Sequence, residues 1–337
     1  MYPVLTPSGT ERPGPPRPPL RPRHSVTAGA AGLLLAAPAV VTACRLLGTD
    51  GVTPVPQLLA LLPWLTLPAG LALLLAAAAR RRALALTAAV VLLATGWSSL
   101  PYTPSAVTSY GPPQARVRVL AANVEFGQGT GALVRLALRE RPRFLFVSEC
   151  DRACGTALTT ALAAVLPHHT AVVAPGAAGS VLLSADPLHE RGAVPATLGM
   201  PGATTTVAGR TVRLQLAHPM PPLPGASGPW QRELARLRDA VAARVSGPAL
   251  VAGDFNASQD HAAFRAVLDA GRLRDAAREA GRSRVPTWPV EGPLPPFTQI
   301  DHVLHSEDFT VADVRFPEVE GSDHRAVLAD LDLRGPR

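Results

Sequence analysis

The stretch Ala249-Leu250-Val251-Ala252-Gly253-Asp254-Phe255-Asn256 decides how the C-terminal part of the chain is read. Ala249–Ala252 is a short apolar run, closed by a glycine, of the kind that forms a buried strand. Its end delivers Asp254 and Asn256. One polar residue after a strand is ordinarily a turn or a helix cap. Here the event recurs. Asn123 follows V-L-A-A, Glu149 follows F-L-F-V-S, and His218 follows R-L-Q-L-A. Asp301 and His302 follow Gln299-Ile300, and Asp323-His324 precede the last apolar run. Strand ends are where rigid scaffolds present functional groups.

Between these edges, strand and helix signals alternate. Arg116–Ala122, Phe144–Ser148 and Val181–Ser184 read as strands. Thr204–Val207 and Thr211–Ala217 flank Ala208-Gly209-Arg210, a hairpin signal. Gly131–Glu140, Trp230–Val245 and His261–Ala270 read as helices, the second carrying Leu234, Leu237, Val241 and Val245 at helical spacing. Ile300–Leu304, Val311–Phe316 and Ala326–Leu333 are late strands. This pattern predicts a layered α/β domain over residues 115–335.

Residues before about 112 have a different character. Residues 1–24 are rich in Pro and Arg and predict a disordered tail. Three apolar runs follow, 27–48, 57–79 and 83–99, each about the ~20 residues that cross a bilayer. Residues 25–100 are therefore expected to form three transmembrane helices, with 101–114 as a linker. Every basic residue of the chain is arginine. Residues 1–112 hold eight Arg against Glu11 and Asp50, a net of +6; the rest holds 24 Arg against 23 acids, a net of +1. The chain's basic character thus belongs to its membrane end, and the later domain has no surplus with which to neutralise nucleic-acid phosphates. Arg12–Arg23 precede the first run and Arg80–Arg82 separate the second from the third, while residues 48–56 carry no arginine. The positive-inside rule puts the N-terminus in the cytoplasm and the later domain outside the cell, in a multi-pass membrane protein. In that oxidising setting Cys150 and Cys154 could form a disulfide or remain free thiols on a loop or short helix.

The polar set suits one chemistry. Carboxylates and amide oxygens favour Mg²⁺ or Mn²⁺ over zinc. A divalent ion polarises a phosphoryl oxygen. Asp254 can accept a proton from an attacking water, Asn256 can orient it, and Asp301 is a natural partner for His324. His218 and His324 both suit phosphate contact.

With its motifs in that order (Asn123, Glu149, His218, G-D-F-N at 253–256, I-D-H at 300–302, S-D-H at 322–324), the chain resembles the endonuclease/exonuclease/phosphatase superfamily over about residues 115–335. The resemblance implies a four-layer α/β/β/α sandwich. It implies a metal site at Glu149 with Asn123 and Asp323 nearby, and Glu125 falls where some members carry a second metal carboxylate. It gives catalytic roles to His218, Asp254, Asn256, Asp301 and His324. Two departures stand out. His218 is followed by the stiff run Pro219-Met220-Pro221-Pro222-Leu223-Pro224, and no tyrosine occurs after Tyr110. The three spans, the H-P-M-P-P loop and Thr287-Trp288-Pro289 resemble actinobacterial VanJ-type teicoplanin-resistance membrane proteins. That likeness implies hydrolysis of undecaprenyl pyrophosphate or a related lipid-linked phosphate at the outer membrane face; no protein partner is inferred. The alternative is an extracellular nuclease using the same site; nucleic acid is the less expected substrate.

Overall fold

A computed structural model describes residues 22–100, 111–244, 246–292 and 295–335. The disordered tail expected over 1–24, most of the linker expected over 101–114, and Val245 lie outside the described residues or at their margin.

The N-terminal unit contains α1 (Pro22–Leu47), α2 (Val55–Leu59), a 3-10 turn over Leu62–Leu65, α3 (Thr66–Ala78) and α4 (Arg82–Ser99). Helices α1, α3 and α4 pack on one another. Their contact faces are built from small residues, with Ala31, Ala69, Ala72, Ala76 and Ala88 fully buried. Small side chains let helix backbones approach closely, as membrane bundles require. Thr42 and Thr95 share a 2.7 Å hydroxyl hydrogen bond between α1 and α4. Large apolar side chains point outward instead: Leu33, Val40, Leu71, Leu86, Val90 and Leu93 are exposed.

Two helices, His24–Leu47 and Arg82–Ser99, are long and apolar enough to cross a membrane. The middle run, expected as one span over 57–79, is broken. Pro54, Pro56 and Pro63 supply no backbone N–H and interrupt helical propagation. What remains is the short α2 and an apolar helical piece, Leu62–Ala78, about 25 Å long at 1.5 Å per residue. Hydropathy gave the same signal for a segment that turns along the catalytic domain.

The catalytic domain starts at Pro113, two residues before its expected boundary. In chain order it comprises β1 (Pro113–Asn123), α5 (Thr130–Glu140), β2 (Phe144–Ser148), α6 (Arg152–Ala161), β3 (His168–Val172), β4 (Ser180–Ser184), β5 (His189–Ala193), β6 (Pro201–Val207), β7 (Arg210–Ala217), α7 (Ser227–Ala242), β8 (Ala249–Asp254), α8 (Ala262–Gly271), β9 (Leu273–Asp275), α9 (Ala276–Glu279), β10 (Asp301–Ser306), β11 (Phe309–Arg315) and β12 (Val327–Arg334). Two six-stranded sheets result, ordered β11-β12-β1-β2-β4-β3 and β5-β6-β7-β8-β10-β9. Each has one parallel pair, β1 with β2 and β7 with β8.

Alternation along the strands makes the layers. On β1, Val117, Val119 and Ala121 face the second sheet, meeting Leu214, Leu216, Leu250 and Ala252. Leu120 and Ala122 face the other way, onto Leu133 and Leu136 of α5 and Leu158 of α6. On β8, Val251 turns out to Trp230, Leu234 and Leu237 of α7 and Phe264 of α8. The order is helix, sheet, sheet, helix. Each fully buried large apolar side chain contributes about 1.5–3 kcal/mol; Phe144 and Phe146 anchor the interface between the sheets, Trp230 the layer of α7 and α8, and Leu133, Leu145 and Leu158 the layer of α5 and α6. Cys150 and Cys154 are joined by a disulfide at the start of α6, so the free-thiol alternative is not what the structure adopts.

Candidate active site

Register brings the polar strand ends together. Asn123 ends β1 beside Ser148 of β2, so Glu149 emerges next to it. Ala217 pairs with Gly253, which sets His218 beside Asp254. Asp301 stands directly opposite Asp254 on the antiparallel β10. Gly253 is required here: it has φ +142°, and a Cβ at that position would lie 2.3 Å from the Ala217 carbonyl oxygen.

Four non-glycine residues at the site have left-handed backbone: Glu125, Phe126, Glu149 and Asn256, with φ between +44° and +56°. Elsewhere this conformation falls at helix ends (Arg80, Arg141, Arg272) and at the β6–β7 turn (Ala208). Such strain, held by surrounding structure, concentrates at functional sites.

Asn123 is the hub. Its Nδ2 donates to Glu149 Oε1 and to Asp254 Oδ2, both at 3.1 Å, and its Oδ1 accepts from the Glu125 N–H at 2.9 Å. Both ends of the amide are thereby engaged. Asn123 bridges two carboxylates, where the family resemblance implied a metal-side position for it. Glu149 Oε2 accepts from Phe126 N–H at 3.1 Å. Glu125 Oε2 accepts from Asp323 N–H at 2.8 Å. Burial and the charge of Asp323 raise the Glu125 pKa, with Glu291 and Glu149 adding to the effect.

The second group of residues is deeper. Asp301 Oδ2 lies 2.8 Å from His324 Nδ1, and His324 Nε2 is 3.9 Å from Asp254 Oδ2. Burial opposes a charge on His324, but Asp301 and then Asp254 outweigh it and raise its pKa to about 10. Asp254 is raised to about 7 by burial and by Asp301, with His324, the Asn256 N–H and Asn123 pulling the other way. His218 is fully buried, and neither ring nitrogen has a partner among the described residues. Burial, and then the charge of His324, lowers its pKa to about 3, so it is neutral. Asn256 donates to the Pro219 carbonyl at 3.0 Å, which fixes the start of the Pro-rich loop.

All nine residues singled out in the sequence therefore meet at one place. Seven of them line a cavity of about 580 Å³, with Asn123 and Asp301 bonded to lining residues from beneath. Sequence reading missed the supports. Trp288 Nε1 donates to Asp323 Oδ2 at 2.8 Å. Buried Glu233 accepts from Met220 N–H and Thr197 N–H, both at 2.8 Å, and holds the loop after His218. Ser322 Oγ donates to the Asn123 carbonyl at 2.8 Å. Trp288 and Ser322 stand in short motifs of the sequence, but nothing local marks them, or Glu233, as supports of the site. His302 points away, between Asp275 Oδ2 at 2.8 Å and the Ala257 carbonyl at 3.0 Å, and holds α8 and β9 to the sheet.

Two places offer ligands to a cation. Asp254, Asp301 and His324 present atoms within 4.8 Å of one another. His324 is protonated at neutral pH and its Nδ1 serves Asp301, which suits a proton-handling group better than a ligand. The hard oxygens of Glu125, Glu149 and Asp323 fit Mg²⁺ or Mn²⁺ better. Neither Glu125 nor Glu149 forms an ion pair with an arginine among the described residues. Burial first and then the negative charge of Asp323 raise the Glu125 pKa, and a divalent ion would offset the second of these.

A two-sheet sandwich with clustered carboxylates, a charged His–Asp pair and a buried neutral histidine defines a metal-dependent phosphoester hydrolase. The family model for the endonuclease/exonuclease/phosphatase family matches residues 120–324, more than half of the chain, and the chain belongs to that family. Its enzymes are generally dependent on a divalent metal. No curated protein sequence matches. Among solved structures, an endonuclease/exonuclease/phosphatase from Beutenbergia cavernae is similar at 22% identity and TM-score 0.52, covering 65% of this chain and 72% of its own. D. rerio TDP2 complexed with a single-strand DNA product is similar at 14% identity and TM-score 0.54, covering 65% and 99%. A family member from Bacteroides vulgatus reaches 15% identity and TM-score 0.50, covering 65% and 99%. At these identities the likeness is one of fold.

Proposed function

We propose that this enzyme hydrolyses a lipid-linked phosphate, undecaprenyl pyrophosphate or a related polyprenyl phosphate, at the outer face of the cell membrane. One observation carries the reading: the apolar helical bundle is fastened to the face of the catalytic domain that holds the site. Asp50, between α1 and α2, accepts from Ala262 N–H at 2.6 Å and Ala263 N–H at 2.9 Å, capping α8. Arg45 at the end of α1 and Arg284 of the catalytic domain both pair with buried Asp260. Arg284 also donates to the Ser98 and Ser99 carbonyls at the end of α4. Substrate held in the bilayer meets such a site at high effective concentration.

Orientation follows the arginines. Arg80–Arg82 join α3 to α4 at the bundle end away from the catalytic domain. With the basic N-terminal segment they mark the cytoplasmic side. The Cys150–Cys154 disulfide suits an oxidising exterior. The middle apolar segment completes a multi-pass anchor together with α1 and α4. The same activity provides a route to glycopeptide (teicoplanin) resistance through the carrier lipid of cell-wall synthesis.

In the mechanism, Glu149, with Glu125 and Asp323, would hold a Mg²⁺, which would supply charge stabilisation at the phosphoryl oxygens. Asp254, with a pKa near neutrality, takes a proton from the attacking water. Asn256 orients that water. His324, charged through Asp301, stabilises the phosphoryl oxygens as negative charge develops. His218 gains in the substrate the hydrogen-bond partner it otherwise lacks.

The test is phosphate release by the full chain in detergent from undecaprenyl pyrophosphate, phospholipid or plasmid DNA, with Mg²⁺ or with EDTA. Turnover of the prenyl pyrophosphate that EDTA abolishes is expected. Cleavage of DNA alone would establish the nuclease alternative instead.

A further inference from the structure

We propose that the segment Val55–Leu65 is a wall of the active site and forms a subsite for the hydrocarbon chain of the substrate. This rests on the lipid-phosphate reading above and deepens it: the N-terminal unit is part of the binding site as well as an anchor.

The segment has two faces. Val55, Leu59 and Leu62 are buried against Val41 of α1. Gln57, Ala60 and Leu61 line the catalytic cavity, in the same chamber as Asp254, Asp323 and His324. Its position is fixed by the catalytic domain at several points. The Pro56 carbonyl is 2.8 Å from His261 Nε2, and Gln57 Nε2 donates to the Pro222 carbonyl. Trp64 Nε1 donates to the Phe297 carbonyl at 3.3 Å. The proline-rich sequence stops α2 from continuing as a span and turns it along the cavity.

The chamber has two chemistries. Its charged and titratable lining belongs to the catalytic domain. Gln57, Ala60 and Leu61 share the chamber with Met220, Pro222 and Leu223, none of them charged, and Gln57 bonds the Pro222 carbonyl. An aromatic series joins the two ends. The Trp288 ring lies 6.5 Å from His324, Phe297 lies 5.4 Å from Trp288 edge to face, and the Phe297 carbonyl holds Trp64. Trp64 is 45% exposed and Leu223 54%, so the apolar end opens outward beside the bundle. A cavity of about 580 Å³ is within the range that holds a drug-sized ligand, and a phosphate group fills only part of it. The occupant that fits is an alkyl or prenyl chain whose first units lie between Leu61 and Leu223 while the rest leaves toward the bilayer. The stiffness of Pro221 and Pro222 keeps the opposite wall in place without an ordering cost on binding.

The test uses the full chain in detergent with farnesyl and undecaprenyl pyrophosphate, compared for wild type and Ala60→Trp, which fills the wall. The expected result is a preference for the long chain in kcat/KM that falls at least tenfold in the variant. An unchanged preference overturns the subsite. If wild type hydrolyses neither pyrophosphate, the lipid-phosphate reading itself fails, which is a distinct outcome. Should Ala60→Trp not fold, wild type is photolabelled with a prenyl pyrophosphate analogue carrying a diazirine in its first units. Label on residues 57–64 or 220–223 supports the subsite, and label confined to the outer faces of α1 and α4 overturns it.

Discussion

Asp301→Asn isolates the charge logic of the site. Asp301 Oδ2 lies 2.8 Å from His324 Nδ1. After burial, which opposes the charge, Asp301 has the largest influence on a His324 pKa of about 10. The same carboxylate, after burial, raises Asp254 to about 7. Asparagine keeps the shape and a hydrogen-bond acceptor but removes the charge. A hydrogen bond to a charged group contributes about 1.5–3 kcal/mol, and one pKa unit is about 1.36 kcal/mol, so His324 should fall by about one to two units. Charged His324 is present below its folded-state pKa and is lost as pH rises through it. The alkaline limb of kcat/KM therefore moves from near pH 10 to about pH 8–9. Asp254 also loses a repelling charge, so the acid limb moves below pH 7. The whole bell shifts toward acid, which simple loss of packing would not produce. The assay is kcat/KM against pH on a prenyl pyrophosphate at saturating Mg²⁺, with circular dichroism confirming the fold. Two unmoved limbs beneath a lower maximum would refute the coupling.

Trp288→Phe keeps the ring but deletes the donor to Asp323 Oδ2; a loss of about 1–2 kcal/mol predicts kcat/KM about tenfold lower, with an unchanged melting temperature. A drop in melting temperature as large as the drop in activity would assign Trp288 to packing instead. Asp50→Ala leaves two α8 N–H groups without their cap and should cost about 0.5–2 kcal/mol, read as a melting temperature a few degrees lower in detergent. An unaltered melting temperature would mean that the loop does not hold the domain. His302 has a pKa raised above its unfolded value: burial opposes the charge, and Asp275 outweighs it. Its contribution is fully present below about pH 6.5 and is lost as pH rises through the folded value. Urea unfolding across this range should show stability falling with pH in wild type, and His302→Gln should lessen that slope, to which His324 also contributes, while costing about 3–5 kcal/mol at low pH.

What was legible in the sequence was whatever a local pattern encodes. Buried strands such as Phe144–Ser148 declare themselves by composition, and their polar ends mark the site residues. Edge elements do not. β5 (His189–Ala193) is exposed throughout, and β3 (His168–Val172) buries only Thr170. α6 buries Leu158 and Cys154 alone. None of the three has enough apolar surface to imprint a period. Register is likewise invisible: nothing near Asp301 says that it will stand opposite Asp254, although the Asp254 pKa depends on it. The role of Trp288 and Glu233 depends on contacts 35 and 13 residues away in sequence. The break at Leu62–Leu65 inside residues 57–79 is equally invisible to hydropathy. Apolar side chains seek low polarity, and a hydrophobicity profile cannot distinguish lipid from the wall of a protein cavity.

The two histidines show how one chamber holds opposite charge states. His218 and His324 both line it, yet their pKa values fall on opposite sides of neutrality, about 3 and about 10. Burial acts on both in the same direction. The difference is Asp301, which Thr287 fixes from below through its hydroxyl and which reaches only His324. Charged His324 then depresses His218 further. The separation is self-reinforcing: protonating one ring disfavours protonating the other. A bound phosphate would favour charge on both, but His218 starts so far below neutrality that it remains a neutral contact. On the proposed reading the enzyme meets the phosphoryl group with one cation that gains strength as negative charge develops and one neutral group that does not over-stabilise the bound ground state, the asymmetry that catalysis by differential binding requires.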